Sequence, residues 1–399
     1  MSNFCILFFV IKIVLFDKIN SFSKNNSNNL QINANNILSN NTNVKRNLQN
    51  DDDNYEPISI YFDTYYLTEY SLDIDSLVEE KNRILESLNK VKNTLEKLIK
   101  VPKGTEKVNP GNYKVEIESF FKNEYGKEKN IFKDDPGLNS NLVIFVDYFD
   151  TRGTDFYSKY NCTEYLKIIK KASDLRPTIG YIMINPQLIP NSIDNLYKQE
   201  LYNYILLHQT THILGFTRNV IENKLGIGKK TINRNPKKSY EKQIISSTKL
   251  MDFAEKYFNC PKSYIKGIEL EELKEYSKCD EYIHWDARIL SGDYMTADIN
   301  IQDQAISEFT LILLEETGFY KANKYSGGLM RFGKNAGCDF FNNDCNEPLP
   351  PEQIEEGQTT LRKSLFPNEF CSGEEKTTCS PGRQSRGICE NLSLNLIFC

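Results

Sequence analysis

Apolar side chains recur at helical spacing between residues 74 and 100, and charged residues fill most positions between them. An apolar stripe of this period predicts a long amphipathic helix, which the segment "VPKG" ends. The residues of the stripe are Leu77, Ile84, Leu88, Val91, Leu95 and Leu98.

Shorter apolar runs rich in β-branched residues predict strands at residues 57–63, 141–149 and 179–185. Another apolar run, over residues 196–214, predicts a second helix. This order predicts an α+β fold in which a twisted mixed sheet is backed by the long helix. Residues 217–283, rich in Lys and Asn, then read as an insertion, and we expect a mostly loop-based half after the second helix.

The first residues, "NFCILFFVIKIVLF", form an apolar run of about signal-peptide length. A transmembrane anchor is the alternative, but the run is too short for one, so we predict a signal peptide over residues 1–22. The Asn-rich stretch after it lacks the apolar surface needed to fold, which predicts a disordered leader over residues 23–55. We therefore expect an extracellular or cell-surface protein, with association to a membrane surface left open.

The chain of 399 residues carries ten cysteines, eight of them from Cys260 onward. With a signal peptide, this number predicts disulfides formed in an oxidising compartment. Removal of Cys5 with the signal peptide would leave an odd number of cysteines, and Cys399 is the last residue. We therefore expect a Cys-rich C-terminal module over residues 346–399 whose truncation would explain the missing disulfide partner. The net charge is −5 with both signs interspersed, so no basic surface indicates nucleic-acid binding.

Two of the three histidines, His208 and His212, lie four residues apart in "LLHQTTHILGF", within the second predicted helix. Side chains at this spacing project from one face and can bind one metal ion, and neutral imidazole is a preferred zinc ligand. On its own, this spacing more often reflects two polar residues on a half-buried helix. The remaining histidine, His284, directly precedes the only tryptophan, Trp285, and supplies the third protein ligand that a catalytic zinc requires.

Two further residues complete a known pattern. Gly215 follows His212 by three and offers a left-handed helix stop, and Met295 follows His284 in "HWDARILSGDYMTA". The order H-x-x-x-H-x-x-G, a further His and then a turn containing Met is typical of metzincins. Their third ligand would fall at Arg218, so here it comes after the insertion.

With these residues on one chain, the sequence resembles the leishmanolysin family of zinc metallopeptidases. The resemblance extends to three other blocks in the family's order: "EPISIYFDTYYL", "RPTIGYIMINPQLI" and "FTLILLEETGFYKANKYSGGLMRFGKNAGCDF". It implies a metzincin-type fold with an N-terminal subdomain (56–217) and a central subdomain with the insertion (218–345). It also implies one Zn²⁺ ion, a protein or peptide substrate, and structural roles for Gly215 and for Met295 beneath the metal. The implied ligands are His208, His212 and His284.

Gln209 stands where the family has the glutamate that takes a proton from zinc-bound water. An amide keeps the shape and can hydrogen-bond water, but it has no basic oxygen to hold a proton. Because general acid–base catalysis is typically worth about 10²–10⁴-fold, we expect zinc binding to survive and proteolysis to be weak or absent. Asp286 and Asp293 are the carboxylates nearest in sequence to His284 and to the turn containing Met295. We do not expect either to replace the missing base.

Two functions follow. The first is a secreted or surface zinc endopeptidase of leishmanolysin type whose activity is reduced by Gln209. The second is a catalytically inactive pseudopeptidase that serves as a cell-surface adhesion or peptide-binding module. No feature of the sequence assigns an oligomeric state.

Overall fold

The structure is a computed structural model of the chain. It describes residues 54–64, 67, 75–109, 118, 140–148, 176–184, 194–235, 238–271, 283–297, 304–324, 328–343, 365–366, 369–370, 377–379 and 386–388. All of these lie in one compact unit, Asp52–Cys399. The predicted signal peptide lies outside the described residues, as does the predicted leader apart from Asn54 and Tyr55.

Helices and strands are mixed along the chain, which confirms the α+β class. None of the described helices is both long enough and apolar enough to cross a membrane. In chain order the elements are β1 (Tyr55–Pro57), β2 (Ile60–Asp63), α1 (Asp75–Leu98), β3 (Ile99–Pro102), β4 (Leu142–Tyr148), β5 (Ile179–Ile184), α2 (Asn195–Leu214), α3 (Arg218–Lys224), β6 (Gly228–Asn235), β7 (Lys238–Ile245), α4 (Thr248–Phe258), α5 (Lys262–Ile265), β8 (Ile268–Glu269), α6 (Ala287–Leu290), α7 (Glu308–Glu316), β9 (Lys321–Ala322), α8 (Asp339–Asn342), β10 (Thr377–Cys379) and β11 (Arg386–Ile388).

Strands β2, β4 and β5 form a parallel sheet in that order, with Ile60 opposite Leu142 and Val143 opposite Ile179. Parallel neighbours require a crossover connection, and α1 lies in the connection between β2 and β4. The side chains of β4 are buried as far as Asp147, which explains the continuous apolar run of this strand.

The predicted strand at 57–63 is in fact two short strands, and the predicted mixed sheet is two separate sheets. β1 pairs with β3 in an antiparallel sheet, whereas β2 pairs with β4 in the parallel one. The chain changes partner at Ser59, whose backbone N–H donates to Asn141 Oδ1 at 2.9 Å while its carbonyl accepts from Leu142 N–H at 3.1 Å. These bonds satisfy the backbone where the strand is interrupted.

The long helix α1 carries its predicted apolar stripe into the core, where Ile84, Leu88, Val91, Leu95 and Leu98 are each at most 2% exposed. Its polar residues anchor the second helix. Gln199 Nε2 donates to Ser87 Oγ at 2.7 Å, and Lys198 forms an ion pair with Glu80.

The segment after the second helix has more regular structure than the expected loops. Strands β6 and β7 form an antiparallel hairpin, and β8 adds to it beside β7. Helix α4 buries one face through Leu250, Met251, Ala254, Tyr257 and Phe258. Lys249 and Lys256 lie on the exposed face of α4, so charged residues interrupt its apolar pattern in the sequence.

One disulfide lies within the described residues. It joins Cys260, directly after α4, to Cys338 at the start of α8. The expectation of disulfides among the late cysteines is thus confirmed for this pair, which connects the inserted segment to the C-terminal half.

Candidate metal centre

Helix α2 presents two histidines from a buried position. Its N-terminus is capped by Asp194, whose side chain accepts a hydrogen bond from Leu196 N–H at 2.9 Å. At the other end, Gly215 has φ +126°, a conformation that favours glycine, and its N–H bonds to the carbonyl of His212 at 2.9 Å. The hydroxyl of Tyr320 donates to the carbonyl of Leu214 at 2.9 Å, which satisfies a further orphan acceptor of the helix end.

His284 reaches the same place through tertiary contacts. Leu270, directly after β8, forms an antiparallel bridge with Trp285, and Glu271 N–H donates to the carbonyl of His284 at 3.0 Å. Trp285 is fully buried and meets the ring of Phe216 edge-on at 5.3 Å between centroids. The inserted hairpin therefore supports the segment carrying the third histidine, although that residue lies 72 positions after His212.

The three imidazoles converge through their Nε2 atoms. The distance is 3.0 Å between His208 and His212, 3.2 Å between His208 and His284, and 3.2 Å between His212 and His284. All three ligand atoms lie within 4.8 Å of one another, so the set could hold a metal ion. Structure thus brings together the three histidines that the sequence singled out.

The other ring nitrogens decide which atoms face the centre. Nδ1 of His208 lies 2.6 Å from the carbonyl oxygen of Tyr294, and Nδ1 of His212 lies 2.6 Å from that of Phe216. A carbonyl oxygen can only accept, so each Nδ1 carries the proton and each neutral ring turns an unprotonated Nε2 inward. Lone pairs packed this closely repel one another, which a bound cation would relieve.

Electrostatics also favours the neutral, ligating form of each ring. Burial lowers the pKa of His208 to about 4, although its hydrogen bond to Tyr294 acts in the opposite direction. Burial is also the main reason that the pKa of His212 lies well below its usual range, followed by the neighbouring His208 and His284. The pKa of His284 is lowered by burial and then by His208. All three are therefore neutral at pH 7.

The spacing of the nitrogens fits zinc. Three nitrogens bound at about 2.0–2.1 Å in tetrahedral geometry would lie about 3.3–3.4 Å apart. The observed 3.0–3.2 Å is close to that spacing. Three neutral imidazoles are also a donor set that catalytic zinc commonly uses, and two of these rings have a hydrogen-bonded outer nitrogen.

Met295 lies in a tight turn that contacts both histidine segments. It is fully buried, its N–H donates to Asp293 Oδ1 at 2.7 Å, and its carbonyl accepts from Trp285 N–H at 3.0 Å. The neighbouring Tyr294 places its hydroxyl 2.9 Å from Thr211 Oγ1 on α2. By contrast, Arg218 points to the hairpin, where it donates to Gln243 Oε1 at 2.9 Å.

Residues 75–394 match the sequence model of the family described as leishmanolysin, and this range is most of the chain. The chain belongs to the leishmanolysin family. This is a zinc metallopeptidase family, and the histidine set described above could bind such a metal.

Individual relatives agree with this membership. The leishmanolysin-like peptidase of Drosophila melanogaster is 25% identical over 296 residues, covering 64% of this chain and 41% of the relative. Leishmanolysin of Leishmania donovani is 24% identical over 261 residues, covering 63% of this chain and 37% of the relative. The leishmanolysin-like peptidase of Caenorhabditis elegans is 29% identical over 154 residues, covering 37% and 21%. The chain thus spans 21% to 41% of the length of these relatives.

In this leishmanolysin-family chain, Gln209 lies on the metal-site helix directly after His208 and is 7% exposed. The two carboxylates considered as substitutes for a base are engaged elsewhere. Asp286 accepts from Arg288 N–H at 2.9 Å and pairs with Lys242 at 2.7 Å. Asp293 accepts from the hydroxyls of Ser307 and Thr310.

Several supporting residues were not predicted from the sequence. Tyr294 and Phe216 act through backbone carbonyls, which carry no sequence signal at all. Thr211, on the helix face next to the histidines, gave no sign of its contact with Tyr294, since the two are separated by 83 positions. The only sequence signal for Tyr294 and Phe216 was their position next to Met295 and Gly215.

Proposed function

We propose that the chain binds one Zn²⁺ ion and is a leishmanolysin-type metallopeptidase homologue whose proteolysis is weak or absent. The proposed ligands are His208, His212 and His284. The observation that carries this is the convergence of three Nε2 atoms at 3.0–3.2 Å, two of them held unprotonated by carbonyl contacts at their Nδ1 atoms. A bound cation would relieve the repulsion between the buried Nε2 lone pairs of His208 and His212, which lie 3.0 Å apart.

Bound zinc would supply a Lewis acid that polarises a peptide carbonyl and lowers the pKa of a coordinated water to about 7. The protein's part is to hold the three rings neutral through burial, and the carbonyls of Tyr294 and Phe216 fix two of them, His208 and His212. What the chain lacks is a basic side chain at position 209, because an amide cannot take a proton at neutral pH.

We propose a protein or peptide as the substrate or ligand, because the relatives are named peptidases. Gln209 also favours a second function, in which the chain binds peptides without cleaving them, as an adhesion or binding module. For either function we propose an extracellular or cell-surface location with no nucleic-acid partner. Association with a membrane surface is part of the same proposal.

The deciding experiment compares wild type with Gln209→Glu, using Gln243→Glu as the matched control. The control makes the same chemical change in a side chain that accepts a hydrogen bond from Arg218. We expect wild type to retain about one zinc per chain, and Gln209→Glu to raise peptide cleavage by about 10²–10⁴-fold without changing metal content. A chelator should abolish that activity, and the control should behave as wild type.

Each alternative has its own outcome. If wild type cleaves peptides as fast as the Gln209→Glu variant, another residue acts as the base. The proposal that Gln209 reduces proteolysis would then be wrong. Cleavage by neither protein, with zinc bound to both, would favour the peptide-binding module. Wild type without zinc would refute the metal site.

A further inference from the structure

Asp293 is a carboxylate with no exposed surface, placed two residues before Met295. Its Oδ1 accepts from Met295 N–H at 2.7 Å, and Thr310 Oγ1 donates to its two oxygens at 3.0 and 2.9 Å. The hydroxyl of Ser307, the N-cap residue of α7, also donates to Oδ2. A buried carboxylate is unfavourable unless donors surround it, and here they do.

The groups bonded to Asp293 lead directly to two of the histidines. The carbonyl of the next residue, Tyr294, lies 2.6 Å from His208 Nδ1. Thr310 also accepts from Trp285 Nε1 at 2.9 Å, and Trp285 directly follows His284. The carboxylate of Asp293 therefore connects two parts of the site. One is the turn that orients the ring of His208, and the other is Trp285, which anchors the segment of His284.

We propose that Asp293 is a positioning residue that sets the geometry of the metal site by clamping the turn Asp293–Thr296 onto the N-terminus of α7. This proposal rests on the proposed zinc site. An asparagine would not reproduce these bonds, because it offers one acceptor oxygen instead of two and its NH₂ group would face at least one hydroxyl that now donates to a carboxylate oxygen. Burial raises the pKa of Asp293 to about 6, against hydrogen bonds from Ser307, Met295 and Thr310 that lower it. Those bonds retain the ionised form at pH 7.

The test uses Asp293→Asn, with Asp252→Asn as the control. Asp252 is an exposed residue of α4 paired with Lys262, so the control removes the same charge on the surface. Loss of a partner that orients a ligand typically weakens metal binding about 10–100-fold. We expect Asp293→Asn to weaken zinc binding by that factor in a competition titration. We also expect it to change the visible absorption bands of the Co²⁺-loaded protein, which report ligand geometry.

A second pair of variants decides the matter if Asp293→Asn does not fold. Thr310→Val removes the hydroxyl that bridges Asp293 and Trp285, whereas Thr310→Ser retains it. We expect the valine variant to weaken zinc binding and shift the Co²⁺ bands, and the serine variant to match wild type.

Unchanged zinc affinity and unchanged Co²⁺ bands in both Asp293→Asn and Thr310→Val would overturn the positioning role. A lower melting temperature with unchanged bands would show that Asp293 only stabilises the fold. If wild type takes up neither Zn²⁺ nor Co²⁺, the proposed metal site fails and the role of Asp293 fails with it. Failure of wild type to bind metal is distinct from equal metal binding by wild type and the variants, which would refute only the role of Asp293.

Discussion

The candidate metal-site helix and the segment around His284 bring the proposed ligands to one point in different ways. On α2, His208 and His212 are placed by helical geometry, and a buried helix with defined ends is enough to align them. His284 has no such local partner. Its segment is fixed by the bridge from Leu270 to Trp285, by the turn at Met295 and by the packing of Trp285.

The difference shows where the site is robust and where it depends on the whole fold. A change that leaves α2 helical keeps His208 and His212 aligned. The position of His284 depends instead on contacts from the hairpin, the Met295 turn and α7.

The largest effect is expected where the third-ligand segment is anchored. Trp285→Ala would remove a fully buried indole that packs on Phe216 and donates to Thr310 at 2.9 Å. A large-to-small change of this kind costs about 3–5 kcal/mol of unfolding free energy. We expect urea denaturation to show that loss, and zinc titration to show weaker binding.

Trp285→Phe is the matched comparison, because it keeps an aromatic ring and loses the indole N–H. We expect it to cost about 1 kcal/mol, the usual value of one hydrogen bond. Equal zinc affinity in Trp285→Ala and wild type would contradict the view that this residue holds His284 in place.

The next effect concerns the ligands themselves. If the tertiary contacts position His284 as well as the helix positions its pair, His284→Ala and His212→Ala should weaken zinc binding alike. The loss should exceed about 100-fold, since even an outer partner of a ligand is worth about 10–100-fold. Metal analysis after dialysis would measure it.

Tyr264→Ala serves as the control for that pair, because this side chain is 58% exposed. A site formed by the helix alone would give a different result: His212→Ala would lose zinc and His284→Ala would keep it. That outcome would remove His284 from the ligand set.

The smallest effect is expected at the end of the helix. Gly215→Ala would force a Cβ into a backbone with φ +126°, 3.3 Å from Val220 Cγ1. Strain of this kind costs about 1–3 kcal/mol. Because His212 lies inside the helix, we expect the urea midpoint to fall while zinc affinity changes less than about tenfold.

Gly226→Ala is the control here, since Gly226 has φ +77° and open space where the Cβ would lie. We expect it to cost less than Gly215→Ala, about 1 kcal/mol. If the two variants are equally stable, neither the contact with Val220 nor the unusual φ of Gly215 matters to the helix end.

Local pattern alone predicted the helices that matter most. The stripe from Ile84 to Leu98 is buried as expected, and the helix expected at 196–214 begins at Asn195 and ends at Leu214. Both predictions succeed because the period of a helix is written in consecutive residues. The strand expected at 57–63 was only partly right, since the change of partner at Ser59 depends on Asn141, far along the chain.

The sequence by itself determined the family, the α+β class and the pair of histidines on one helix face, because each is encoded in residue types at short, regular spacing. Tertiary structure alone decided which contacts bring the predicted His284 to that pair, that Tyr294 and Phe216 hold the rings of His208 and His212 by their carbonyls, and that Asp293 joins the Met295 turn to α7. These contacts join atoms far apart along the chain or belong to the backbone. Their energies exist only once packing has excluded water and brought the groups within hydrogen-bond distance.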